Sequence, residues 1–140
     1  MIDEIRSYFK SVITEVDSDL KQHNQYFTSE NVGDNKLEDK FYIEFGAITT
    51  ERQDSDMVGE VAVIVRIWKN GYTDIINNLD TAYCNAIEIQ AKLMDQTRVD
   101  QLDFIKSVVG NNITPSAVAD NDNLAQFELQ FTVTTGYKAF

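Results

Sequence analysis

Three stretches of alternation dominate this chain and restrict it to folds with a half-buried sheet. The clearest runs from 124 to 135. Ala125, Phe127, Leu129, Phe131 and Val133 fall on one face, and Gln126, Glu128, Gln130, Thr132 and Thr134 on the other. A strand with one face in a core and one in solvent requires this period of two. Residues 40 to 50 alternate as well, with Phe41, Ile43, Phe45 and Ala47 opposite Tyr42, Glu44, Gly46 and Ile48. Residues 57 to 69 do the same, Val61, Val63, Val65 and Ile67 opposing Glu60, Ala62, Ile64, Arg66 and Trp68. The polar stretch Glu51-Arg52-Gln53-Asp54-Ser55-Asp56 lies between these two runs and predicts a loop joining an antiparallel hairpin.

A one-sided sheet needs a cover, and two segments have helical periodicity. Over residues 2 to about 21, Ile2, Ile5, Phe9, Val12, Ile13, Val16 and Leu20 recur at spacings of three and four. Over residues 74 to 94 the stripe is Ile75, Leu79, Ala82, Tyr83, Ala86, Ile87, Leu93 and Met94, with Thr73 as N-cap and Asp74 suited to the helix dipole. A less regular run at 99 to 109 reads as a further strand. Residues 23 to 39 and Gly110 to Asn123, which includes Pro115, read as loops. The order is therefore α-β-β-α-β-β. It predicts a single two-layer α+β domain over residues 1–140, with a four-stranded, largely antiparallel or mixed sheet and two helices on one face.

Such a domain leaves one sheet face open, and that face should be polar throughout. The last strand obeys. The first two do not, because Tyr42, Ile48, Ala62, Ile64 and Trp68 share their face with only a few charged groups. Two covers are open: the loop at 23 to 39, or another subunit. For the second, Tyr42, Ile48, Ile64 and Trp68 are the candidate interface residues, with Trp68 as anchor.

Enzymatic signatures are missing. The single histidine, His23, reads as a solvent-facing group near a helix C-terminus, and no Gly-x-Ser-x-Gly elbow accompanies it. The single cysteine, Cys84, has no basic neighbour within a helical turn and reads as a buried small hydrophobe. Asp54-Ser55-Asp56 followed by Gly59 resembles a calcium loop faintly, but Val58 and Val65 occupy ligand positions; Asp120 to Asn123 lacks a terminal Glu. The six glycines are scattered, which excludes phosphate-binding loops. No cofactor or metal is expected, and the reading is of a non-enzyme.

Charge narrows the partners. Twelve basic residues against 23 acidic ones give a net charge of −11. That argues against a cationic groove for nucleic acid and against electrostatic attraction to a membrane surface. The N-terminus lacks an apolar signal core, and the longest aliphatic run is Val61 to Val65, so a cytoplasmic origin is expected.

The element order, the acidic stretch between the first two strands and the chain length together resemble the tail terminator proteins of long-tailed bacteriophages. The segments that carry the likeness are Lys40-Phe41-Tyr42-Ile43-Glu44-Phe45-Gly46, Val61-Ala62-Val63-Ile64-Val65-Arg66-Ile67 and Phe127-Glu128-Leu129-Gln130-Phe131-Thr132-Val133. The resemblance implies a hexameric ring on the end of a completed tail tube. Its partners would be further copies of itself, the tail tube protein and a neck or head-closure protein. Its place would be the virion tail, assembled in the host cytoplasm. DNA would pass through the ring without specific binding, and an acidic lumen would repel phosphate; Glu51, Asp54, Asp56 and Glu60 are the candidate lumen residues. The rival readings are a head-closure, neck or baseplate ring component, and a small acidic protein-binding module.

Overall fold

A computed structural model describes residues 2–23, 38–53, 56–70, 78–118 and 121–138. In chain order the elements are α1 (Ile2–Val16), β1 (Lys21–Gln22), β2 (Lys40–Gln53), β3 (Asp56–Asn70), α2 (Asp80–Leu93), α3 (Gln96–Val99), β4 (Ile105–Val118) and β5 (Asn121–Lys138). The strands form one sheet in the order β1-β2-β3-β5-β4. Only the two-residue β1 is parallel to its neighbour; every other pair is antiparallel. The α+β class holds, with a fifth strand and a third helix added to the expected order.

The alternating runs behave as their pattern requires. Phe41, Ile43, Val61, Val63, Val65, Ile67, Phe127, Leu129, Phe131 and Val133 are buried on one face. There they meet Ile5, Phe9, Val12 and Ile13 of α1 and Ala82, Ala86, Ile89 and Leu93 of α2 in a continuous core. Phe9 stands edge-on to Phe131 with ring centroids 5.2 Å apart, and Tyr83 edge-on to Phe127 at 5.7 Å. Each such pair adds about 0.5–1.5 kcal/mol beyond its buried area.

The departures from expectation have local causes. α1 stops at Val16 rather than near 21, because the Asp17 carboxylate accepts the Asp19 amide at 3.1 Å and turns the chain. Leu20 is still buried, carried there by the turn rather than by a helix. The second helix begins at Asp80, while Thr73 and residues 74–77 lie outside the described residues. The run expected as a strand from 99 opens instead with α3, capped by Asp95, whose side chain accepts the Thr97 amide. The strand starts at Ile105 and continues through the expected loop to Val118, with Pro115 inside it. Pro115 is tolerated because β4 is an edge strand, where a missing N–H that faces outward breaks no ladder bond. The polar stretch after residue 50 is strand as well, β2 reaching Gln53 and β3 starting at Asp56. The loop expected at 23–39 lies for the most part outside the described residues.

Candidate assembly surface

The helices pack on one face of the sheet, and the opposite face carries no helix among the described residues. Cross-strand registers order it in rows: Tyr42 beside Arg66, Glu128 and Thr114; Glu44 beside Ile64 and Gln130; Ala62 beside Thr132 and Val109; Thr49 beside Glu60, Thr134 and Ser107. Arg66 is the centre of this face. Its guanidinium bonds the Glu44 carboxylate and lies 3.8 Å from that of Glu128, so one cation bridges three strands. Gln130 completes the patch by donating to Glu128 at 2.9 Å.

Of the four residues expected at an interface, Tyr42 and Ile64 lie on this face and are half-buried. Trp68 shares the face but is only 2% exposed, and its indole N–H donates to Gln126 at 3.0 Å. Its surface is already covered within the chain, so it is not a free anchor. Ile48 lies on the other face. A bulge between Phe45 and Ile48 sets Gly46 and Ala47 against Ala62 alone, and the extra residue turns Ile48 to the helix side opposite Val61. There it is 47% exposed.

Three of the four expected lumen residues, Glu51, Asp56 and Glu60, lie on the outer half of the β2–β3 hairpin. Glu60 pairs with Thr49 on the open face, Glu51 pairs with Val58 one step further out, and both glutamates are exposed. Asp56 begins β3 opposite Gln53, and Asp54 lies outside the described residues.

Two sequence expectations about reactive groups change. His23 follows β1 rather than a helix end: its amide donates to Phe41 at 2.8 Å. Burial, and then the nearby Lys40 charge, lower its pKa. Cys84 is exposed, because the side of α2 that meets the sheet carries Ala82, Ala86, Ile89 and Leu93. A cleft of about 350 Å³ opens between the turn that follows α1, the end of β3 and the start of α2, lined by Asp17, Asp19, Asp39 and Lys69 among others. The Lys69 ammonium lies 3.0 Å from Asp17 and 2.7 Å from Asp39, which neutralises much of it. Among the described residues, no group of three or more His, Cys, Asp or Glu side chains could hold a metal ion.

One surface was not foreseen. Tyr83, Ile87 and Met94 are 39%, 49% and 41% exposed along one side of α2. Their four- and seven-residue spacing reads as core in sequence. The signal that they are not is the second set, Ala82, Ala86, Ile89 and Leu93, which already supplies a full inner face.

No protein-family model matches the chain, and no curated protein matches it in sequence. Among solved structures, a chain of the virion of a native gene transfer agent particle is similar to this one, with a TM-score of 0.58. The match covers 97% of this chain and 91% of that one at 9% identity. At that identity the likeness establishes a shared fold.

Proposed function

We propose that this chain is a structural component of a phage-like virion, a ring subunit that caps the tail tube and joins it to the head. The observation that carries the reading is the shared fold with a gene transfer agent virion chain over 97% of this chain and 91% of the other. A module-level likeness inside a larger protein would leave much of one chain uncovered; here both are used almost completely. The element pattern that resembles tail terminators points the same way independently. The role is one of assembly rather than catalysis. Its partners are further copies of the chain, the tube protein below and a neck or head-closure protein above.

In such a ring the open sheet face turns toward the channel. Glu51 and Glu60, with Asp56 at the start of β3 and Asp54 close to it in sequence, give the channel an acidic wall that DNA phosphates do not adhere to. Negative-stain electron microscopy of the purified protein over a wide concentration range tests the reading, together with gold labelling of assembled particles. Rings with a central hole, and label at the head-proximal end of the tail, are the expected results. Label at the baseplate would move the chain to a baseplate ring. Absence from purified particles would overturn the virion role.

A further inference from the structure

We infer that copies of this chain join head to tail through their sheet edges, β4 of one copy adding to the β2 edge of the next, with the outer stripe of α2 lying over the seam. The inference rests on the ring reading and names the surfaces that would close the ring.

β4 ends the sheet, so its outward backbone groups face no strand among the described residues. Natural edges of this length are guarded by charge, by proline or by bulges; β4 has Pro115 and its register shifts but little charge. Here no ionisable side chain occurs from Ser107 to Val118. In a chain of net charge −11, copies repel one another over most of their surface, and an uncharged edge is where approach costs least. The exposed stripe of Tyr83, Ile87 and Met94 starts over Phe127 of β5 and reaches β4 at Gly110 through Met94. It overhangs the strand closely: a Cβ at Gly110 would lie 3.0 Å from the Met94 sulfur and 2.8 Å from the Gln90 amide nitrogen.

The other end of the sheet is its complement. β1 pairs with β2 only at Lys40 and Phe41, so β2 beyond Phe41 has no strand beside it among the described residues. Gly46 to Thr50 carry no charge. The bulge has turned Ile48, 47% exposed, to the same side of the sheet as the α2 stripe.

The levels agree. Ile48, Val61, Val133 and Val108 form one row across the sheet, and Phe45, Val63, Phe131 and Gly110 a neighbouring one. A copy joined at the same level brings its Ile48 alongside Val108 and Gly110, under Ile87 and Met94. β2 and β4 run in opposite directions within each copy, so head-to-tail addition yields an antiparallel pair. Pro115 stands level with Phe41, through Ile67 and Phe127. That is where β1 already occupies the neighbour's edge and where a donor is not needed. Charge also matches. Lys106 is the one charged residue of β4, between positions level with Thr50 and Thr49, and Glu51 is the next residue along β2. Contacts of this kind use two different patches, and they close into a ring when the rotation between copies allows.

Sedimentation velocity of the full chain and its variants tests this. Ile48→Asp and Ile87→Asp each change a side chain about half exposed, so both should keep the circular dichroism of the fold while large oligomers are lost. Lys106→Glu and Glu51→Lys should each weaken association at least tenfold, and the double variant K106E/E51K should restore it. Oligomers that survive both aspartate variants would overturn the edge pairing while leaving the ring reading in place. A dimer abolished by Ile87→Asp but untouched by Ile48→Asp would put β4 against its own two-fold copy and overturn it as well. A wild-type chain that stays monomeric at every concentration would also overturn it, and the virion role would then be judged by the particle labelling alone.

Discussion

Tyr8 shows how one side chain joins two helices. Its hydroxyl donates to the carbonyl oxygens of Leu93 at 2.9 Å and Lys92 at 3.2 Å, closing the last turn of α2 onto α1. Burial raises the phenol's pKa, against the nearby Arg98 charge and with that of Asp95. Lys69 behaves alike for another reason. Burial alone would lower its pKa, but hydrogen bonds and charge from Asp39 and Asp17 outweigh it and the value rises. Both groups hold their protons more tightly folded than unfolded. The stability they contribute is therefore complete below their ordinary range, about pH 10, and falls as pH rises through the folded values. Urea midpoints measured against pH should accordingly drop on the alkaline side. Tyr8→Phe should lower the midpoint at neutral pH by the equivalent of about 1 kcal/mol and make the alkaline drop shallower. An unchanged alkaline slope in that variant would remove Tyr8 from the explanation. Lys69→Met should be the more damaging change at neutral pH, by about 1–3 kcal/mol, because it leaves the half-buried Asp17 carboxylate without its cation.

Elements follow the sequence where burial enforces a period and escape it where it does not. β3 and β5 have helices over one face and strands on both edges, so every position is constrained and the alternation is clean. β4 has one free edge, register shifts at three places and the sequence Gly110-Asn111-Asn112 followed by Pro115, all of which imitate a loop. Only pairing with β5 makes it a strand. The bulge in β2 has no signature of its own in Gly46-Ala47, yet it decides which face Ile48 occupies, and so it reversed one of the four expected interface residues. Trp68 is buried for a reason the sequence does not carry: periodicity assigns a residue to a face but does not tell whether that face is covered there. Pro115 can be tested as an edge guard. Pro115→Val restores a backbone donor at an exposed edge position and should leave the urea midpoint within about 0.5 kcal/mol of wild type. The same change should raise turbidity on concentration, because it extends the length of edge available for unplanned pairing. A soluble variant at every concentration would show that the bulges alone protect this strand.

At the scale of the whole molecule, the charge distribution connects the fold with the proposed role. Fourteen of the 23 acidic residues fall in the first 60 positions, which is uneven for a charge that served solubility alone. The hairpin then gathers Glu51 and Glu60 on its exposed outer half, with Asp56 at its tip opposite Gln53. The acidity of this region was legible from composition; its placement on two strand arms rather than in a loop was not, because a polar run has no periodicity that distinguishes the two. In the ring proposed above, strands would hold these carboxylates at fixed spacing, so neutralising them would change the field without unfolding the wall. The variant Asp54→Asn, Asp56→Asn, Glu60→Gln, which keeps the Glu51 of the proposed seam, should therefore keep its thermal midpoint and still yield particles with tails of normal length. DNA release from those particles should slow, and adding salt should narrow the gap to wild type, since screening weakens the repulsion that the native carboxylates provide. Release at the wild-type rate at every ionic strength would leave the acidic hairpin as a solubility device and would detach the lumen assignment from the ring itself.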